Sequence, residues 1–181
     1  MRSSACILLI PLLVLCACAP ATSNTESVSA PRQIRIEGAG TVNLNTTTSA
    51  HVARLDFPVP LVWKALPAAF ETMGVPITFV DSAHYVLRND GLKVRRQLAD
   101  TPLGVFFDCG TTQVGENADS YDVHMTVSVE VQPEPATGNS RLLILLESAA
   151  RPVSFSRDYS RCSTRGKFEQ RFADAVKKQL K

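Results

Sequence analysis

The sequence lacks the short motifs that mark the common enzyme classes. It contains no Gly-x-Ser-x-Gly elbow of serine hydrolases, no His-Glu-x-x-His of zinc proteases, no P-loop and no Rossmann glycine fingerprint. The glycine-flanked segment from Gly110 to Gly115 lacks the Lys-Ser/Thr pair that would engage a phosphate. We therefore predict that the chain is not an enzyme, and we assign no residue to catalysis, to a metal or to a cofactor.

A strong excess of charge of one sign is also lacking. The 19 basic residues nearly balance the 17 acidic ones, and the formal net charge is +2. Binding to a nucleic acid or another acidic polymer is favoured by a marked basic excess, which this chain does not have. We therefore expect no nucleic-acid partner.

Histidine is scarce, with three residues at His51, His84 and His124. Only His124 has an acidic neighbour on the same face of its predicted strand, namely Asp122, which lies about 7 Å away by the rise of two strand residues. This spacing could form an acid–base pair. A solvated polar face of a sheet explains the two residues more simply.

The apolar run from Ala5 to Leu15 is too short to span a bilayer as a helix. It follows Arg2 and has the length of the h-region of a signal peptide. The run ends in Leu15-Cys16-Ala17-Cys18. These residues resemble the lipobox of bacterial lipoproteins, apart from Cys16, where Ala, Ser or Thr is usual.

The resemblance implies that residues 1–17 are a lipoprotein signal peptide and that Cys18 is lipidated. Several acyl chains on Cys18 would then anchor the protein stably in a membrane of the bacterial cell envelope. Ala19, in place of Asp, implies the outer membrane and an orientation towards the periplasm. Two alternatives stay open: plain secretion, disfavoured because Pro20 would follow the cut directly, and a buried core helix, disfavoured by its terminal position.

The cysteine count follows from this interpretation. Cys6 and Cys16 leave with the signal peptide and Cys18 takes the lipid, so Cys109 and Cys162 remain in an oxidising compartment. Two remaining cysteines in an exported domain predict one structural disulfide. A redox pair would favour Cys-x-x-Cys spacing, and a metal site would need further ligands nearby.

Residues 18–32 are rich in Ala, Pro, Thr and Ser, which predicts a flexible tether. Residues 33–181 then suffice for a single domain. Its first predicted elements are a hairpin around Gly38-Ala39-Gly40 and a strand over residues 51–57. We predict a helix that begins near Pro60 and ends at Gly74, with a kink at Pro67.

The middle of the domain predicts a strand over residues 76–80 and a hairpin over residues 85–96, which turns at Asn89-Asp90-Gly91. Residues 97–120 are rich in Gly, Thr, Asn and Asp, and we predict a long loop there. The predicted disulfide would pin the middle of this loop.

Strict alternation of apolar and polar residues from Tyr121 to Val131 predicts a long antiparallel strand with one wet face. Residues 141–150 are apolar on both faces from Leu142 to Leu146 and predict a central strand. Ser163 or Thr164 is predicted to cap a final helix. The buried stripe of this helix is Phe168, Phe172, Val176 and Leu180, and its outer face is basic.

These elements predict an α+β fold, in which two helices pack on one face of an antiparallel sheet as a two-layer sandwich. The element order over residues 50–181 is similar to the helix-grip domains of BamC-like outer-membrane assembly lipoproteins. The similarity is one of architecture, and a shared fold does not by itself define a function.

Three groups of residues are candidate surfaces for a ligand or partner. Phe106 and Phe107 either cover the disulfide and the sheet edge or present an apolar surface to a partner. Trp63, Phe70 and Phe172 would line a cavity between sheet and helices if the domain binds a small apolar ligand. The basic face of the last helix is either solvated or contacts anionic lipid headgroups or an acidic partner.

Two functional hypotheses follow. The first is a non-catalytic binding or scaffold module, anchored in the envelope through Cys18, that contacts another envelope protein. The second is a carrier or sensor of a small apolar ligand.

Overall fold

A computed structural model describes residues 25–28, 32–36, 40–44, 48–154 and 159–181, with side chains from residue 50 onwards. These residues form an α+β fold that consists mostly of antiparallel sheet, in a two-layer arrangement, as predicted. The predicted signal peptide, Cys18 and the first part of the predicted tether lie outside the described residues.

The strands are β1 (Thr25–Val28), β2 (Arg32–Ile36), β3 (Gly40–Leu44), β4 (Thr48–Leu55), β5 (Phe79–Asp81), β6 (Val86–Arg95), β7 (Gln97–Leu98), β8 (Thr101–Pro102), β9 (Phe107–Asp108), β10 (Thr111–Thr112), β11 (Gly115–Glu116), β12 (Asp122–Pro133), β13 (Ser140–Arg151) and β14 (Ser160–Thr164). The helices are α1 (Val59–Thr72), α2 (Leu103–Phe106), α3 (Asn117–Ser120) and α4 (Lys167–Gln179). The main sheet has the strand order β1-β4-β13-β12-β6-β5, and β14 also pairs with β13.

The two long helices cover one face of this sheet. α1 contacts β12, while α4 contacts β4 and β13, and the two helices also contact each other. The apolar residues of β12 point into this layer, and Val123, Met125, Val127 and Val129 are fully buried. The alternation that predicted this strand is therefore confirmed, and β13 is confirmed as a central strand between β12 and β4.

Helix α1 begins and ends as predicted. Pro60 lies in its first turn, where the missing N–H costs no helical hydrogen bond, and Pro67 lies within the helix. At the end, Gly74 adopts a left-handed conformation with φ of 65°. The Val75 N–H donates to the Phe70 carbonyl at 3.0 Å, which is the closing bond of a Schellman motif.

The predicted hairpin over residues 85–96 is wrong. Residues 86–95 form one strand, β6, whose two halves both pair with β12 on either side of a bulge. The Asn89 side chain holds this bulge, because its amide donates to the Pro76 carbonyl at 2.6 Å and its oxygen accepts from the Gly91 N–H at 3.0 Å. Asn-Asp-Gly therefore bends a continuous strand instead of reversing the chain.

Three other boundaries differ from prediction: the start of β5, the start of the final helix and the end of the tether. The strand predicted over residues 76–80 is β5, Phe79–Asp81. The final helix begins at Lys167 after Gly166, so neither Ser163 nor Thr164 is its N-cap; the Thr164 hydroxyl instead donates to the Glu169 carboxylate at 2.7 Å. The predicted hairpin near the start of the domain is confirmed as β2 and β3. Strand β1 falls within the predicted tether and pairs with β4.

Residues 97–120, predicted as a loop, form short strands and two single-turn helices. The disulfide between Cys109 and Cys162 is present, as predicted, and it attaches this segment to β14, a strand that the sequence did not predict. Strand β9 pairs with β14 directly beside the disulfide. Arg165, which follows β14, extends this attachment because its guanidinium lies 3.2 Å from the Glu116 carboxylate.

Candidate functional site

Phe106 and Phe107 are core residues, so the hypothesis that they present an apolar surface to a partner is wrong. Their side chains are 1 % and 0 % exposed. The Phe106 ring packs edge-on against Phe168 of α4, with ring centroids 5.7 Å apart. Phe107 lies in β9 opposite Thr164. Burial under α4 explains this apolar pair without a partner.

The aromatic residues predicted to line a cavity are divided between two contacts. Phe70 and Phe172 are fully buried and pack edge to face, with ring centroids 5.1 Å apart. Trp63 is half-buried and packs against Tyr85 at 5.7 Å. Phe70 and Phe172 therefore contact each other between α1 and α4, and Trp63 does not join them.

His124 and Asp122 lie on the face of the sheet opposite the helices and have separate partners. The Asp122 carboxylate accepts from the Lys93 ammonium at 2.8 Å, and the His124 ring packs edge-on against Tyr159 at 5.4 Å. Burial, and then the charge of Lys93, hold the pKa of His124 below its ordinary value. Among the described residues, Asp122 and His124 therefore have separate partners and form a packed polar cluster on this face.

A second histidine–aspartate pair, which the sequence did not predict, follows strand β5. The His84 Nδ1 lies 2.7 Å from the Asp81 carboxylate, and the same carboxylate accepts from the Ala83 and His84 N–H groups. The hydrogen bond between the two side chains raises the pKa of His84 and lowers that of Asp81. Asp followed three residues later by His in a turn was the available sequence signal.

The end of α1 forms an open groove with the segment that leads into β5. Pro67, Phe70, Glu71 and Gly74 line its α1 side, and residues 75–77 line the other. Its volume is about 390 Å³, and most of its lining is apolar. The groove exists because the Schellman turn at Gly74 directs the chain away from the helix before it enters the sheet.

Strand β5 lies directly beyond this groove and is an edge of the main sheet. Among the described residues it pairs only with β6. Its side chains Phe79 and Val80 are 38 % and 60 % exposed, although both are large and apolar. Val80 pairs with Leu87, whose side chain is buried in the core, so Val80 lies on the same side of the sheet as the helices and the groove.

We refer to the groove, residues 75–77 and the exposed side chain of Val80 as the β5 edge site. The Phe79 ring points to the other side of the sheet, where the Arg88 guanidinium lies 4.0 Å from its centroid. The β5 edge site combines unpaired backbone groups of an edge strand with an apolar surface beside them. This combination is suited to binding an extended peptide, which pairs with the strand and places alternate side chains in the adjoining groove.

The described residues offer neither a cluster of metal ligands nor a membrane-spanning helix. No group of three or more His, Cys, Asp and Glu side chains converges there as the ligands of a metal would. Within the same residues, no helix combines the length and the apolar character that are needed to cross a bilayer.

Comparison with protein-family models gives no match to this chain, and comparison with curated proteins gives no significant match.

Proposed function

We propose that the protein is a lipid-anchored, non-catalytic binding module of the bacterial cell envelope. Cys18 at the end of the lipobox ties it to a membrane, in the orientation of an outer-membrane lipoprotein that faces the periplasm. The disulfide between Cys109 and Cys162 supports this location, because such bonds persist in oxidising compartments. Once lipidation and processing are taken into account, these are the two cysteines that remain.

The β5 edge site is the surface through which this module binds a partner. The observation that carries the proposal is the exposure of Val80 on an edge strand, on the same side of the sheet as an apolar groove. Exposed apolar side chains on a sheet edge favour aggregation unless another chain covers them. An extended apolar segment of another envelope protein would cover these side chains and pair with β5.

Site-specific photo-crosslinking in intact cells tests this proposal. A photoreactive amino acid is placed at Val80 or, as a matched control, at Val114, which is 90 % exposed in the turn between β10 and β11. We expect a discrete protein adduct from position 80 and none from position 114. A second substitution, Ile77→Glu in the groove, should abolish the adduct at position 80.

Two results would contradict the proposal. Equal crosslinking at positions 80 and 114 would mean that adduct formation depends only on how exposed the position is. Absence of any adduct at position 80, in cells where the protein is folded and exported, would mean that the β5 edge site has no protein partner.

A small apolar ligand in the same groove is the second candidate function. The groove volume of about 390 Å³ supports it, because it lies within the range of small-molecule pockets. Native mass spectrometry of protein isolated from its membrane separates the two candidates. A bound small molecule that is lost in the Ile77→Glu variant would favour the ligand. Protein that carries only the mass of its lipid anchor would favour the peptide partner.

A further inference from the structure

The outer surface of α4 carries a row of basic side chains. Lys167, Arg171 and Lys178 are exposed, and their spacing of four and seven residues places them on one side of α4. Lys181 is exposed two residues beyond the end of the helix, and the Arg171 guanidinium also donates to the Thr101 hydroxyl. We call these four residues the basic stripe. Its three helical members span about 16 Å along the helix axis at the rise of an α-helix.

Little acidic charge opposes this row. Asp174 is the acidic residue exposed on the same side, and its carboxylate lies 3.8 Å from Lys177, a neighbouring cation. The other acid of α4, Glu169, is 3 % exposed and bonds to Thr164. The exposed residues of α4 are all polar or charged. The basic stripe therefore lacks the aromatic and apolar anchors that protein interfaces use, and it fits a surface of distributed negative charge.

The position of α4 relates the basic stripe to the proposed anchor. α4 packs on β4, and β4 pairs with β1, the first described strand of the chain. Seven peptide steps separate Cys18 from Thr25 at the start of β1, which limits the distance between them to about 25 Å. A helix with its side chains is about 10–12 Å across. The outer face of α4 thus lies within reach of a membrane that holds Cys18.

We propose that the basic stripe docks on the anionic phospholipid headgroups of the membrane that holds the anchor. This inference rests on the proposed lipidation of Cys18, which keeps the stripe at high local concentration near the membrane. Attraction between lysine or arginine side chains and anionic headgroups falls off within about 8 Å at physiological salt, so the stripe binds only when it faces the bilayer.

Docking in this way would orient the β5 edge site. β1 and β5 lie at opposite ends of the main sheet, separated by five strand spacings or about 24 Å. With α4 near β1 and against the membrane, β5 lies at the edge of the sheet farthest from the anchor. Val80 and the groove lie on the helix side of the sheet, so a partner would reach the β5 edge site from this far edge.

Lysine footprinting of the full-length, lipidated protein tests the inference. The protein is reconstituted into vesicles of phosphatidylcholine alone or with about 30 % phosphatidylglycerol, an anionic lipid. The modification rate of each lysine by an amine-reactive reagent is then measured by mass spectrometry. Lys93 is the internal control, because it is exposed on the opposite face of the sheet, where it pairs with Asp122.

We expect phosphatidylglycerol to slow modification of Lys167, Lys178 and Lys181 by roughly threefold or more, and about 0.5 M NaCl to restore the rates. The rate at Lys93 should stay unchanged. In a Lys178→Gln/Lys181→Gln variant, the protection of Lys167 should be lost. This variant keeps good helix-forming residues and should fold normally.

The possible failures differ from one another. Protein that does not float with either kind of vesicle overturns the anchoring and the docking together. Protein that floats, with equal lysine rates in both kinds of vesicle, overturns the docking and leaves the anchoring intact. If the lysines of the basic stripe are protected in native envelopes but not in phosphatidylglycerol vesicles, the stripe binds an acidic protein and the lipid proposal is overturned.

Discussion

At the scale of single residues, Asn89 joins strand β6 to the chain segment that lines the groove of the β5 edge site. It is 2 % exposed, and both of its polar side-chain groups are hydrogen-bonded, one across to Pro76 and one to the bulge at Gly91. The Pro76 carbonyl belongs to the segment that lines the groove. Asn89 therefore positions the wall of the candidate site as well as the strand to which it belongs.

Replacing Asn89 should destabilise the fold. In Asn89→Ala, the Gly91 N–H and the Pro76 carbonyl lose their partners, at a cost of about 1–3 kcal/mol in the free energy of unfolding. Asn139→Ala is the control, because Asn139 makes an exposed side-chain bond to Asp56 at 3.3 Å. Urea denaturation measures both variants. Equal losses in the two would contradict the role assigned to Asn89.

The histidines His84 and His124 should titrate on opposite sides of the ordinary pKa of 6.5. The bond to Asp81 raises the pKa of His84, so the stability it contributes is present below pH 6.5 and is lost as pH rises through the raised value. Burial lowers the pKa of His124, so its contribution is present above pH 6.5 and falls as pH drops towards the lowered value.

NMR titration of the two imidazoles checks this prediction. In Asp81→Asn, the pKa of His84 should return towards its ordinary value while that of His124 stays low. Titration of both rings at the same pH in the unsubstituted protein would show that neither local environment exists in solution.

At the scale of elements, the sequence correctly predicts the helices and strands whose side-chain pattern reflects burial alone. β12 alternates, β13 has a continuous apolar run from Leu142 to Leu146, and α1 and α4 each carry one buried stripe, so all four could be recognised. The Asn-Asp-Gly segment was misread because the same residues suit a turn and a bulge. Pairing of both halves of β6 with β12 decides between them, and that pairing is a long-range property.

The disulfide is the element-scale feature whose removal should have the largest effect. It joins residues separated by 53 positions, and a crosslink of that span stabilises by about 4 kcal/mol in the chain-entropy account. Both cysteines are buried, so Cys109→Ala/Cys162→Ala is the suitable variant. Chemical denaturation of the variant and of the oxidised protein measures the difference. A loss below about 1 kcal/mol would mean that β9 and Arg165 hold residues 97–120 without the bond.

At the scale of the whole molecule, the fold class could be predicted but the candidate site could not. Alternating strands and amphipathic helices require a sheet with helices on one face. The β5 edge site depends instead on strand order, because residues 76–80 give no local sign that their strand lies at the edge. The apolar residues Phe106, Phe107, Phe70 and Phe172 were candidates because of their type, and burial assigns all four to the core.

The proposed anchor gives these parts one arrangement: lipid at Cys18, the basic stripe on the membrane, and the β5 edge site at the edge of the sheet farthest from the anchor. The basic stripe and the β5 edge site are tested on the folded domain. The lipid anchor depends on the signal peptide, so it is tested through the chemistry of the mature amino terminus.

Intact-protein mass spectrometry of the chain isolated from bacterial membranes tests this central claim most directly. We predict a mature protein that begins at Cys18 and carries the added mass of a thioether-linked diacylglycerol and a further acyl chain. A Cys18→Ser variant should lose this mass, whereas Cys16→Ser should keep it. A mature chain with an unmodified Cys18, or one that retains residues 1–17, would contradict the account.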